Sequence, residues 1–272
     1  MNTEMYVKPQ PGANALERLI NRFLRPFGRL ILPIPAKQVI PPEIPDSGIY
    51  GIPDDLPRLY QPWFSQENAS LLRPEVKANT LLSPEKLYSL RQMARTSIAV
   101  PGDIFEAGAG SGGSTRVILD VLREAGSTKR IWSLDTFEGY QKVDPVKDGA
   151  HVQLQGCRCA SLDDVSRLLS TPNQQVVLIP GLIPGTLSQV KAPAISFAHI
   201  DVNLHEPTLA STEFVLNRLS PWGIIVFDDY AWPATYGART AIDQACRARG
   251  LQVTVVPHTG QAFLINSPPV AR

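Results

Sequence analysis

The stretch Asp103-Ile104-Phe105-Glu106-Ala107-Gly108-Ala109-Gly110-Ser111-Gly112-Gly113-Ser114-Thr115 constrains the chain more than any other. A short apolar run meets an acid, a glycine-dense turn follows, and a helical pattern begins. That order reads as strand, ligand loop and helix. Glycines at 108, 110 and 112 let the backbone enter conformations closed to other residues and bring a ligand against the main chain. The following helix turns its unpaired N–H groups toward whatever is bound. Alone, the loop indicates a nucleotide-like cofactor without saying which.

The alternation continues downstream. Ser83-Pro84-Glu85 opens a helix with a capping serine and a first-turn proline. Strands are expected at 103–106, 130–134, 175–179, 196–200 and 223–227, and helices at 114–124, 161–169, 207–219 and 235–249. Two last strands, 251–256 and 262–265, have no long segment between them and are expected to pair as an antiparallel hairpin. The fold class is therefore α/β: a Rossmann-like, mostly parallel seven-stranded sheet with an antiparallel C-terminal edge, flanked by helices.

Residues 1–80 read as an N-terminal arm and 81–272 as the main domain. Within the arm, Leu16, Leu19, Ile20, Phe23 and Leu24 recur at helical spacing beside Arg18, Arg22 and Arg25. Such a helix packs on its own domain, on a partner subunit or on a membrane surface. Residues 33–62 are dense in proline, so regular structure cannot run far there; a wrapping strap and a lid over a pocket are both open. The N-terminal region is also the expected contact of a homodimer.

The formal net charge of +1 gives no broad basic face for nucleic acid, which leaves small molecules as the expected partners. The three cysteines, at 157, 159 and 246, form neither a disulfide framework nor a zinc pattern. With no signal pattern and no run of about 20 apolar residues for a membrane span, the expected location is the cytoplasm.

In an open α/β sheet, ligands bind beyond the carboxyl ends of the strands. Here those ends carry acids: Glu106, Asp135, Asp201, Asp228 and Asp229. Asp135, closing the second strand, is placed to accept the hydroxyls of a cofactor ribose. Residues 108–113 also satisfy the dinucleotide fingerprint, so the loop does not discriminate. Glu106 does: a carboxylate before the turn repels phosphates and attracts a cationic amino group such as that of a methionine. Asp201, Asp228 and Asp229 are hard oxygen ligands suited to Mg2+ or Ca2+, able to activate a substrate hydroxyl toward an electrophilic methyl group. Asp201 is also a candidate proton acceptor. His199, His205 and His258 compete for that role; His199 reads as a core residue, and His205, just past a strand end, is the preferred histidine.

An ordered series of motifs, Pro101-Gly102-Asp103-Ile104-Phe105-Glu106, Asp135-Thr136-Phe137-Glu138-Gly139, Ser161-Leu162-Asp163-Asp164-Val165, Pro180-Gly181, His199-Ile200-Asp201 and Gly223-Ile224-Ile225-Val226-Phe227-Asp228-Asp229-Tyr230, resembles the macrocin O-methyltransferase family of class I S-adenosylmethionine-dependent methyltransferases. The resemblance spans about residues 82–266. It implies S-adenosylmethionine and Mg2+ as cofactors and a hydroxylated small molecule, such as the sugar of a natural product, as acceptor. It further implies that Glu106, Gly108, Ala109, Gly110, Gly112 and Ser114 hold the methionine part, Asp135 the ribose and Ser161 the adenine. Asp201, Asp228 and Asp229 would bind the metal, with Asp201 and His205 as catalytic candidates. Asn203 stands where the family commonly has an acid, and His205 where it has a tyrosine, which would alter the pocket wall. Two other readings stay open: an NAD(P)-dependent oxidoreductase, and a silent cofactor-binding partner subunit.

Overall fold

The computed structural model describes residues 62–157, 160–171, 173–257 and 259–268. The arm helix, most of the proline-dense segment, most of the expected dimer contact, Cys159 and His258 lie outside the described residues.

Five strands form a parallel run: β1 (Asp103–Ala107), β2 (Ile131–Asp135), β3 (Val176–Pro180), β4 (Ile195–Ile200) and β5 (Leu219–Phe227). The strands β6 (Thr254–Val255) and β7 (Ala262–Ile265) complete a sheet of order β3-β2-β1-β4-β5-β7-β6. β7 runs antiparallel to both β5 and β6, so the expected hairpin is present. Its first strand is much shorter than 251–256, however, since only Thr254 and Val255 pair with β7.

Helices α1 (Pro84–Thr96), α2 (Gly113–Glu124), α3 (Leu162–Leu169), α4 (His205–Leu216) and α5 (Tyr236–Arg247) cover the sheet. Alternate strand residues supply two cores. Ile104, Ile131, Phe197 and Val226 pack with Leu90, Ile118 and Leu122 of α1 and α2. Phe105, Leu134, Ile200 and Phe227 pack on the other face with Val215 and Ile242 of α4 and α5. Ile118, Leu119 and Leu122 are wholly buried, each contributing about 2 kcal/mol relative to exposure.

Local signals explain the helix starts. Ser161 accepts from Asp164 N–H while the Asp164 carboxylate receives Ser161 N–H, a complete capping box. Ser83 stands at the N-cap of α1 without a side-chain capping bond, so Pro84 is the stronger local start signal. Because β1 lies between β2 and β4, the crossovers leave in opposite directions there, and a crevice opens at the strands' carboxyl ends.

Candidate active site

The crevice holds a cavity of about 810 Å³. Its wall runs from Gly108, Ala109, Gly110 and Ser114 past Asp135 to Asp201, Asp228 and Asp229. The glycine loop and the aspartate cluster, read separately from the sequence, thus share one chamber. Pockets for drug-sized ligands span roughly 300–1,000 Å³, so this one has room for a cofactor and an acceptor.

The glycines are fixed by close approaches. A Cβ on Gly108, where φ is +93°, would lie 1.8 Å from the carbonyl oxygen of Asp201. One on Gly113 would lie 2.4 Å from that of Asn79. Gly108 therefore lets the β1 and β4 ends meet, and Gly113 seats the segment before α1. At Gly110 a Cβ would meet nothing within 4 Å, which leaves its flank open to a ligand. Gly112 caps α2 in a left-handed conformation, beside Val165 and Leu168 of α3, and does not line the cavity.

Asp135 accepts Gly110 N–H at 2.9 Å and Phe137 N–H at 2.8 Å. Burial raises its pKa, and the two N–H bonds partly offset that. These bonds lock the carboxylate at the β2 end beside the loop.

Glu106 does not line the cavity. It has no exposed surface, and its carboxylate accepts from Ser114 at 2.7 Å, from Ser133 at 2.8 Å and from Thr115, and faces His199 Nδ1 at 3.1 Å. Burial opposes its charge, but the hydrogen bond and charge of His199, with Thr115 and Ser114, hold its pKa below the ordinary range. Glu106 thereby ties β1 to the first turn of α2, to β2 and to β4. Ser161, occupied by its capping box, also stays out of the wall, which its neighbour Ala160 reaches.

At the acid cluster, ligand atoms of His199, Asp201 and Asp228 lie within 4.8 Å of one another. His199 is wholly buried; Glu106 holds Nδ1, and Nε2 has no partner among the described residues. Metal-binding histidines are commonly oriented by a carboxylate in this way. Asp228 Oδ1 accepts from Gln261 at 2.8 Å, and its Oδ2 pairs with Lys86 Nζ at 2.5 Å. Asp229 Oδ2 accepts Asn203 N–H at 2.9 Å, an arrangement helped by the left-handed conformation of Asn203 at φ 60°. Burial, then the charges of Asp228 and Asp229, raise Asp201 well above the carboxylate range, and burial with Asp228 pushes Asp229 up to about 7. Crowded carboxylates beside an unpartnered imidazole nitrogen fit a divalent cation.

His205 differs from its expected place. It is the first residue of α4, is buried, does not line the cavity, and donates its backbone N–H to Asp148 Oδ1 at 2.8 Å. The His205 side chain therefore forms no part of the cavity wall, although its neighbours Leu204 and Glu206 do. The histidine in the wall is His151, whose ring meets Tyr140 edge-on at 5.5 Å and whose pKa is lowered chiefly by burial. No sequence pattern marks His151, because residues 141–149 and their surroundings carry no periodicity, and Lys86 is in sequence only one polar position in a helix.

The macrocin-O-methyltransferase (TylF) family matches residues 64–260. Among curated proteins, the 8-demethyl-8-(2,3-dimethoxy-alpha-L-rhamnosyl)-tetracenomycin-C 4'-O-methyltransferase of Streptomyces olivaceus is 31% identical over 165 residues, covering 57% of this chain and 63% of that protein. The mycinamicin III 3''-O-methyltransferase of Micromonospora griseorubida is 26% identical over 192 residues, covering 66% of this chain and 74% of that protein. Among solved structures, the O-methyltransferase NovP has a TM-score of 0.62 at 21% identity, covering 70% of this chain and 83% of its own. The calicheamicin methyltransferase CalS11 has a TM-score of 0.56 at 22% identity, covering 74% and 93%. Both structures share the fold.

Proposed function

The chain belongs to the macrocin O-methyltransferase family, and on that premise we propose that it transfers a methyl group from S-adenosylmethionine to a hydroxyl of a natural-product sugar, assisted by Mg2+. The observation that carries this reading is the single cavity in which Gly108–Gly110 and Asp135 face the same space as Asp201, Asp228 and Asp229. The names of the curated relatives, each a methyltransferase of a complex natural product, support the acceptor class. An oxidoreductase would leave the aspartate cluster without a task.

In the proposed mechanism, Gly110 and Ser114 line the seat of the methionine end while Asp135 accepts from the ribose hydroxyls. Glu106 fixes the loop from behind. Asp201 and Asp228 would hold the ion, with Asp229 beside them; bound there, Mg2+ supplies Lewis acidity that lowers the pKa of the acceptor hydroxyl. The His199 nitrogen also makes Mn2+ acceptable. Asp201 takes the hydroxyl proton on its carboxylate as the acceptor oxygen bonds to the methyl carbon and the carbon–sulfur bond breaks. S-adenosylhomocysteine and the methyl ether leave. Holding the donor and the acceptor in one chamber aligns the methyl carbon with the acceptor oxygen and so lowers the entropic part of the barrier.

Methyl-labelled S-adenosylmethionine incubated with a panel of glycosylated natural products, with and without chelator, tests this reading. Label should enter an ether only in the metal-replete samples. A thermal shift with NADH and none with S-adenosylhomocysteine would contradict it. We propose further that the chain acts in the cytoplasm as a homodimer joined through residues 1–80, which light scattering of the full chain and of one lacking that arm would check. Among the described residues no helix is long and apolar enough to cross a membrane.

A further inference from the structure

The cluster already contains a cation of its own. Lys86, on the first turn of α1, is 8% exposed, and its Nζ lies 2.5 Å from Asp228 Oδ2 and 3.4 Å from the Asp228 carbonyl oxygen. It is part of the cavity wall, and the Trp232 ring lies 5.3 Å from Nζ. We propose that Lys86 is a built-in competitor for the divalent ion: it neutralises Asp228 in the metal-free protein and must be displaced from Oδ2 when the ion binds. This rests on the divalent-ion reading above and adds what sets the ion's affinity.

The geometry leaves little room for both cations on Asp228. Its Oδ1 is engaged by Gln261, and its Oδ2 by the ammonium. An ion reaching His199, Asp201 and Asp228 needs electron density from that carboxylate, and an ammonium held against the same group repels it at close range. Lys86 also explains how a buried Asp228 is tolerated beside Asp201 and Asp229 before any ion arrives, since an unpaired buried charge is costly. The lysine has a place to go. Its four-carbon stem is flexible, and the half-exposed Trp232 indole, already 5.3 Å from Nζ, keeps an aromatic face against the ammonium once Oδ2 is released. A lysine that only anchored α1 would leave ion affinity unchanged when replaced.

The test is Mn2+ binding by the full chain, stripped with chelator and free of cofactor and acceptor, followed by the electron paramagnetic resonance of free Mn2+. In Lys86→Met the dissociation constant should fall about tenfold or more, because the ion no longer competes with a fixed positive charge. Lys86→Arg, which keeps the charge, should stay near wild type. Circular dichroism confirms folding, and Lys86→Gln replaces the methionine variant should that one fail to fold. Equal or weaker Mn2+ binding by the neutral variant overturns the role of Lys86 while leaving the ion site standing. Absence of binding to wild type and variants alike overturns the divalent-ion reading itself, and Lys86 as competitor with it.

Discussion

Glu106 and His199 face each other at 3.1 Å from adjacent parallel strands, and neither has any exposed surface. The pair links the first turn of α2, through the bonds of Glu106 to Ser114 and Thr115, to the acid cluster, where His199 stands with Asp201 and Asp228. Glu106→Gln should therefore lower stability by about 2–4 kcal/mol, because a buried carboxylate that accepts from Ser114, Thr115 and Ser133 and faces His199 is replaced by an amide whose N–H groups meet donors there. Urea denaturation checks the loss. Because Glu106 is held below its ordinary pKa of 4.5, its stabilisation is present above that value and fades as pH falls through the lower folded value. The variant's disadvantage should accordingly shrink in strong acid.

The acid cluster behaves in the opposite sense. Asp229 is raised from 3.8 to about 7, so its ionised form costs stability above pH 7, and protonation relieves that cost as pH falls through 7 toward 4. Metal-free Asp229→Asn should be more stable than wild type at pH 8 by roughly 2 kcal/mol, with the gap closing near pH 4. Thermal unfolding with chelator at both pH values measures it. A variant less stable than wild type at pH 8 would show that Asp229 is already neutralised.

Asp201 and His205 are separable by substitution. Asp201→Asn should keep S-adenosylhomocysteine affinity within about twofold while methyl transfer drops by ~100-fold or more, the usual scale for losing a general base. His205→Gln should transfer at close to the wild-type rate, since that residue lies outside the cavity wall. Single-turnover transfer of labelled methyl to an accepted glycoside distinguishes them.

The sheet was legible because each strand and its terminal acid are a local pattern: Asp103–Ala107 before a glycine turn and Gly223–Phe227 before Asp228 are read without knowing any neighbour. The task of Glu106 was not. Its partners Ser133 and His199 arrive from two other strands, and only the register that sets Glu106 opposite both shows that it serves packing rather than the ligand. Linear closeness also misled at His205. Helix α4 begins two residues earlier than expected, which turns a residue just beyond β4 into a buried first-turn position, whereas His151 reaches the wall from a short turn at Gly149–Leu154. Lys86 and Asp228 meet across 142 residues, a distance no motif spans. Gly113, which satisfies the dinucleotide spacing, is explained instead by the Asn79 carbonyl pressed against it.

If Asp135 and the glycine loop hold the methyl donor in the chamber that the acid cluster shares, loss of the Asp135 carboxylate weakens cofactor binding. Calorimetric titration of S-adenosylhomocysteine into wild type and Asp135→Ala measures this. Wild type should bind, and the variant should bind at least about tenfold more weakly, the value of a lost charge-assisted pair of hydrogen bonds. No binding to wild type, or equal affinity in the two proteins, would contradict it.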